Sequence, residues 1–234
     1  MARETLESRR QRTQRIMAGL ESAYPQAHCE LDYANPWQLL IATILSAQCT
    51  DRQVNLVTAE LFRKYRSAAD FAQAPLVELE LAIRRLGLYR NKARNIQGAS
   101  RTLVEKYGGE VPRTMEELTA LDGVGRKTAN VVLGNAFGIN AGIVVDTHVA
   151  RLSSRLGLSS SATADKIEAD LQALVPPERW TLFSHWLIWH GRRRCFARQP
   201  DCPGCELHGL CPTGRKVLEA KPAPERRKKM RAPI

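Results

Sequence analysis

Two charged side chains could carry covalent chemistry on a sugar or a carbonyl group. The first is Lys127, which lies in the first turn of a predicted helix, directly after the turn Gly123-Val124-Gly125. A neutral lysine amine is a nucleophile for a carbonyl carbon or for the C1′ atom of a sugar. On spacing alone, an ordinary phosphate contact at the surface explains Lys127 equally well.

The second side chain is Asp146, in the segment Val145-Asp146-Thr147-His148. Its place predicts a helix N-cap, in which the carboxylate accepts a backbone hydrogen bond. At a cleft, the same carboxylate could accept a proton or stabilise an oxocarbenium-like sugar. We interpret His148 as structural rather than catalytic. Sequence spacing does not show that Lys127 and Asp146 meet in space.

The nine residues Leu121–Ala129 (LDGVGRKTA) join a short predicted helix to a longer one. Two glycines let the backbone approach another chain closely, and the free N–H groups of the second helix form a phosphate site. The segment is not a Walker A loop, because no strand precedes it and its spacing differs. A helix C-cap with an ordinary turn is the simpler interpretation, but the full pattern favours helix-hairpin-helix binding of DNA. The predicted DNA contacts here are Gly123, Val124, Gly125, Arg126 and Thr128.

Four cysteines fall close together, with the spacing Cys195-x6-Cys202-x2-Cys205-x5-Cys211. Such a cluster is typical of a metal site, because intracellular proteins rarely form disulfides. The spacing leaves a structural Zn²⁺ and an iron–sulfur cluster nearly even. Since all four thiolates serve as ligands, the metal keeps no open position for hydrolytic chemistry. The surrounding arginines, which form either a solvated face or a set of phosphate contacts, are Arg192, Arg193, Arg194 and Arg198.

The chain is strongly basic, with 35 Lys and Arg against 24 Asp and Glu and a net charge of +11. Such a balance indicates a polyanionic partner, most often nucleic acid. Eight of the basic residues fall within 213–234, so the charge argues for a basic tail more than for a basic groove. No stretch of about 18 uncharged apolar residues occurs, so no membrane span is expected. The N-terminus lacks the apolar region of a secretory signal, and we expect an intracellular protein.

The hydrophobic pattern that must position these side chains is helical almost throughout. Residues 37–47 form a nearly continuous apolar run, which predicts a buried central helix. The one strand-like stretch, 142–145, is too short to build a sheet. We therefore predict an all-α fold, followed by a Pro-rich and disordered segment over 214–234. The other predicted helices span 52–65, 75–86, 90–107, 114–121, 124–137, 146–156, 161–174 and 178–190.

Together these motifs resemble the endonuclease III family of DNA glycosylases and AP lyases. The resemblance covers roughly residues 15–212 and rests on 45–51 (LSAQCTD), on 121–129, on 145–148 and on the four-cysteine spacing. It implies removal of oxidised pyrimidines from double-stranded DNA, followed by β-elimination at the abasic site through a lysine Schiff base. It also implies a [4Fe-4S] cluster, rather than zinc, on Cys195, Cys202, Cys205 and Cys211.

The resemblance implies two helical domains that flank a DNA-binding cleft. A six-helix barrel with the helix-hairpin-helix is expected over 29–139, and an iron–sulfur domain over 140–213. Residues 1–28 are expected to join the iron–sulfur domain. Residues 214–234 remain as a basic, disordered tail.

The resemblance also implies roles for individual residues. Lys127 matches the nucleophile and Asp146 the essential carboxylate. Gln48 matches a residue that fills the gap left by a flipped-out base, and Leu88 matches a wedge beside the orphaned base. Without the resemblance, Gln48 and Leu88 are interpreted as an ordinary surface polar residue and a buried leucine. Cys49 departs from the family, in which alanine is more usual after the glutamine.

Three other functions are compared with this one. A monofunctional adenine glycosylase of this fold would lack Lys127 and would carry an extra C-terminal domain. A non-catalytic DNA-binding protein with a structural cluster would need neither Lys127 nor Asp146. A pyrimidine-dimer glycosylase keeps every motif and stays open. We expect a bacterial-type monomer in the cytoplasm at the nucleoid, with no membrane partner. The preferred lesions, any redox role of the cluster and the role of the tail are left open.

Overall fold

A computed structural model of the chain describes residues 4–219. Within that range the chain forms helices joined by short connections, and no strand is present. The all-α prediction is confirmed. Two 3₁₀ turns, Pro177–Arg179 and His208–Leu210, add to the helices. The α-helices are α1 Leu6–Ala23, α2 Pro36–Leu45, α3 Asp51–Lys64, α4 Ala68–Gln73, α5 Leu76–Ala82, α6 Tyr89–Tyr107, α7 Met115–Thr119, α8 Arg126–Phe137, α9 Thr147–Arg155, α10 Ala164–Gln172, α11 Trp180–Arg193 and α12 Pro212–Glu219.

Helix α2 lies at the centre of the first hydrophobic cluster. Its residues 39–42 are completely buried, which agrees with the apolar run that predicted a central helix. Helices α3 to α8 pack around it, and Trp37 meets Phe71 edge-to-face at 5.1 Å between ring centroids. The buried residues of this cluster fall between Leu31 and Leu133.

A second hydrophobic cluster is built from α1 and from α9 to α11. Its largest buried side chains include Ile16, Phe183 and Trp186. The chain therefore starts in this cluster, crosses into the first one and returns. At Gly134, α8 of the first cluster comes so close to α11 that an added Cβ would lie 2.3 Å from the Thr181 hydroxyl. Two helical domains in close contact are the result, while the residue limits of the domains stay a prediction.

Each helix predicted from periodicity is present, with ends shifted by up to four residues. Three helices were not predicted: α1, α4 and α12, the last of which is described below. The six-residue α4 is too short to show a period, and a capping box between Ser67 and Asp70 defines its start. The long α1 is mostly polar and buries only Thr13, Ile16 and Leu20. The strand-like stretch 142–145 is extended coil.

The prediction of disorder from residue 214 onward is wrong for 214–219, which belong to α12. Cys211, the last cysteine of the loop, stabilises the start of this helix. The Gly214 N–H donates to Cys211 Sγ at 3.2 Å, and the Arg215 N–H donates to the Cys211 carbonyl at 3.0 Å. Pro212 at the first helical position needs no hydrogen-bond acceptor. The rest of the predicted tail, 220–234, lies outside the described residues. None of the described helices is long and apolar enough to cross a membrane.

Candidate functional site

The turn between α7 and α8 has the backbone geometry of a phosphate site. Gly123 takes a φ of +75°, and a Cβ there would lie 2.7 Å from the Asn95 side chain, so the turn packs tightly on α6. Val124 is buried beneath the turn. Gly125 is the N-cap of α8, and the space beside it is open. No side chain caps this helix start, so its first N–H groups remain available to an anion.

Arg126 does not point its guanidinium outward as a free phosphate ligand. Its two nitrogens donate to both carboxylate oxygens of Glu168 on α10, at 2.8 and 3.0 Å. Glu168 is only 5% exposed and also accepts from Asn130 at 3.2 Å. The first residue of α8 is therefore tied to the second domain through its guanidinium, and its backbone N–H lies at the uncapped helix start.

Lys127 and Asp146 line the same cavity, of about 100 Å³, at the junction of the two clusters. Lys127 enters it from the start of α8, and Asp146 from the segment before α9. The Lys127 side chain is exposed to solvent. Because sequence spacing could not show that these two side chains meet in space, their shared cavity is the main structural result about the site.

Asp146 is a helix N-cap, as predicted. One carboxylate oxygen, Oδ1, accepts from the Val149 N–H at 2.8 Å and fixes the side chain at the cavity wall. Among residues 4–219, its second oxygen has no hydrogen-bond donor. His148 is held by Arg151, whose guanidinium lies 3.1 Å from Nδ1, and burial lowers its pKa. The structural interpretation of His148 fits this contact.

Polar and charged side chains from distant segments complete the cavity wall, and of these only Arg192 was singled out from the sequence, as a neighbour of the cysteine loop. Arg192 forms ion pairs with Glu30 and, at 2.8 Å, with Asp51. His185 lies 2.7 Å from the Asn135 amide oxygen, and burial lowers its pKa to about 4. These groups come from four separate segments of the chain, so no local motif could have revealed them. A wider groove of about 1060 Å³ adjoins the cavity and shares Glu30, Asp51 and Arg192 with it.

Gln48 and Leu88 have the same unusual backbone. Among residues 4–219 they are the non-glycine residues with positive φ, at +54° and +59°. Both side chains are exposed, Leu88 at 55%. Such strain survives where the surroundings impose it, often at ligand-contacting positions. The buried-leucine interpretation of Leu88 is therefore wrong.

The cysteine loop brings its four thiols around one small apolar cavity. Cys195, Cys202, Cys205 and Cys211 all line it, together with Leu207. Burial raises the pKa of Cys205 to about 11, and burial together with the neighbouring Cys195 and Cys211 raises that of Cys202. The Cys202 and Cys205 thiols therefore resist ionisation unless a cationic group lies beside them. Within the described range, no three His, Cys, Asp or Glu side chains are placed to hold a single metal ion.

The arginines beside the loop are engaged in ion pairs. Arg193 contacts Glu30 at 2.8 Å and stacks on Trp189, while Arg194 contacts Asp201 at 2.5 Å. Arg192 is held by the cavity carboxylates of Glu30 and Asp51. The first three arginines are thus held by internal ion pairs, which neither of the two interpretations left open had predicted.

Comparison with known proteins gives one consistent family. Residues 41–177 match the family model of the "HhH-GPD superfamily base excision DNA repair protein". The endonuclease III of Synechocystis sp. is 53% identical over 208 residues, which cover 89% of this chain and 95% of that protein. The endonuclease III of Bacillus subtilis is 50% identical, and the match covers 82% of this chain and 88% of that protein. A solved structure of a trapped covalent intermediate between endonuclease III and DNA is 49% identical, with a TM-score of 0.85 over 89% of this chain and 98% of that chain.

Proposed function

The chain belongs to the endonuclease III family of the HhH-GPD superfamily, and we propose that it is a bifunctional DNA glycosylase and AP lyase. Its substrate is double-stranded DNA that contains oxidised pyrimidines or abasic sites, and it acts as a monomer. One observation carries the proposal: Lys127 and Asp146 line a single cavity beside the phosphate-binding turn.

The reaction uses the two side chains in turn. The Lys127 amine attacks C1′ as the damaged base departs, and Asp146 stabilises the positive charge on the sugar or accepts the lysine proton. The resulting Schiff base acidifies the neighbouring sugar carbon, and β-elimination breaks the strand on the 3′ side of the lesion. Asp146 suits this role because it lines the cavity and because the Val149 N–H holds one of its oxygens, while the other has no hydrogen-bond donor among residues 4–219.

Backbone groups hold the DNA in place for this step. The N–H groups at Gly125 and at the start of α8 bind phosphate without reading base sequence. Gln48 and Leu88 enter the duplex from two neighbouring turns, where they fill the gap of the flipped-out base and wedge beside its partner. Their exposed side chains and rigid left-handed backbones support these roles.

Cys195, Cys202, Cys205 and Cys211 would hold a [4Fe-4S] cluster, which supports the fold of the second domain. The four thiols line one common cavity, which supports a metal group shared by all four. N–H groups of Leu207 and Gly214 already donate to two of the sulfurs. We predict about four iron atoms per chain and a brown protein. Metal analysis that found zinc and no iron would reject the cluster.

The test of the lysine is borohydride trapping on duplexes with one abasic site or one oxidised pyrimidine. Borohydride reduces a Schiff base, so wild-type protein should give a covalent protein–DNA adduct. Lys127→Gln removes the amine and should abolish the adduct while damaged-DNA affinity persists, because the backbone phosphate site is intact. Asp146→Asn keeps a good N-cap and should bind DNA but cleave about 100-fold more slowly.

The matched control is Lys106→Gln, on the exposed last turn of α6, which should trap at the wild-type yield. If Lys127→Gln protein still gave the wild-type yield of adduct, another amine would be the nucleophile. If the wild-type protein bound damaged DNA but neither trapped nor cleaved it, the chain would be a binding protein and the proposed activity would be wrong.

A further inference from the structure

Cys49 lies in the turn between α2 and α3, one residue after the strained Gln48. Its side chain is partly exposed and lines the open groove of about 1060 Å³. A small reagent in solvent can therefore reach the sulfur. Cys49 plays no part in the phosphate site or in the lysine chemistry proposed above.

The amine of Lys92 contacts this sulfur from within the protein. It lies in the first turns of α6, is 3% exposed, and donates from Nζ to Cys49 Sγ at 3.2 Å. Within residues 4–219, Nζ has no other hydrogen-bond partner, and no carboxylate oxygen lies within 4.0 Å of it. Burying a lysine without a carboxylate partner is costly. Among the described residues, the Cys49 sulfur is the one hydrogen-bond partner of the buried Lys92 amine.

We propose that Cys49 and Lys92 form an oxidant-responsive modification site, in which a hydroperoxide leads to a sulfur–nitrogen bond between them. The peroxide first transfers an oxygen atom to Cys49, so that the thiol becomes a sulfenic acid and the peroxide is reduced to water or an alcohol. The Lys92 nitrogen then attacks the sulfur and the S–O bond breaks. The hydroxide leaves with an amine proton as a second water molecule, as in the known condensation of sulfenic acids with nitrogen.

The bond would join two turns that lie far apart in sequence. Cys49 follows Gln48 directly, and the Lys92 N–H donates to the Leu88 carbonyl at 3.1 Å within the same helical start. The linkage therefore fixes the turn of Gln48 to the turn of Leu88. Thiol reductants reverse it, because a thiol can attack the sulfur and release the amine.

Cys29 serves as an internal comparison. It lines the same groove, but no amine contacts it, and burial raises its pKa to about 11. Trypsin leaves Cys29 and Cys49 together in peptide 16–52. It cuts on both sides of the segment around Lys92, so a linked Lys92 lies in peptide 91–94. Fragmentation of a linked peptide pair therefore distinguishes the two cysteines within a single measurement.

The experiment treats the purified holoprotein with hydrogen peroxide, blocks free thiols and maps non-reduced tryptic peptides by mass spectrometry. We expect peptide 16–52 linked to 91–94, lighter by two hydrogen atoms than the two peptides together, with the bond at Cys49. Dithiothreitol should release the pair, and Cys49→Ser protein should not form it. In Lys92→Met protein the sulfenic acid should persist and react with dimedone.

The wild-type map decides the question even if Lys92→Met protein does not fold. Oxidation of Cys49 to sulfenic or sulfinic acid without the link would overturn the proposal. So would a link to Cys29, or a Cys49 that stays reduced under peroxide. These readouts do not involve DNA, so the inference stands or falls independently of the glycosylase activity.

Discussion

At the scale of single residues, side chains buried in the core and exposed side chains at strained turns lie close together in the sequence. Leu86 and Leu88 lie two positions apart, yet Leu86 is 1% exposed and Leu88 is 55% exposed with a left-handed backbone. The burial of Leu86 contributes to the first hydrophobic cluster. The exposed leucine contributes nothing comparable, and its backbone conformation costs about 1–2 kcal/mol.

We predict that Leu88→Gly leaves the protein as stable as the wild type, or more stable by up to about 1 kcal/mol, because glycine removes the backbone strain and the exposed side chain adds little to the packing. Excision from damaged duplexes should fall. The matched variant Leu86→Ala should lower the free energy of unfolding by about 2–5 kcal/mol. Urea unfolding measures both variants. A destabilisation of several kcal/mol in Leu88→Gly would mean that the side chain packs in solution.

At the scale of elements, the start of α8 has two attachments. The turn at Gly123 packs on α6 in the first domain, and the Arg126 side chain holds Glu168 on α10 in the second. Lys127 follows directly on this double attachment. Contacts with both domains therefore fix the position of Lys127 relative to Asp146.

We predict that Arg126→Gln lowers the free energy of unfolding by about 1–3 kcal/mol, because the buried Glu168 carboxylate is then without its two charged hydrogen bonds. The salt dependence of DNA binding should stay unchanged, since the guanidinium is not free for phosphate. Lys64→Gln is the control: its ion pair with Glu78 is exposed and screened by solvent, so its loss should change the stability little. A salt slope that falls by about 0.9 in Arg126→Gln would show instead that this arginine binds DNA phosphate.

The elements also show what the sequence could predict. Periodicity placed α2, α3 and α6 within two residues of their ends, because each has a continuous apolar face. Local motifs identified the glycine-rich turn and the N-cap role of Asp146. Sequence could not place Arg192 beside Glu30 and Asp51, since these contacts join segments more than 100 residues apart. It also assigned Arg126 to phosphate, because no local signal reveals the distant Glu168.

At the scale of the whole molecule, the charge is distributed unevenly. The arginines near the cavity and the cysteine loop are largely matched by carboxylates, such as those of Glu30 and Asp201. Residues 220–234, by contrast, hold six Lys and Arg against one Glu. Much of the unmatched positive charge therefore lies at one end of the chain rather than along the cavity.

We predict that deletion of residues 220–234 weakens binding to undamaged DNA and flattens its salt dependence, by about 0.9 in the log–log slope for each phosphate that these residues neutralise. Cleavage of lesion DNA at low salt and saturating substrate should persist. The cut after Glu219 keeps α12 and its hydrogen bonds with the cysteine loop. A truncated protein that no longer cleaved under saturation would place this segment in the active site.

The path of the chain between the two clusters has a consequence for its synthesis on the ribosome. Helix α1 emerges first, but it packs against α11, and its Arg12 donates to the carbonyl of Leu156 at the end of α9 and to that of Leu210 just before α12. The nascent chain can complete the first cluster while the partners of α1 are still untranslated. The second domain closes only when the loop from Cys195 to Cys211 has emerged, because Leu207 of this loop is buried in the second cluster, so its assembly comes last.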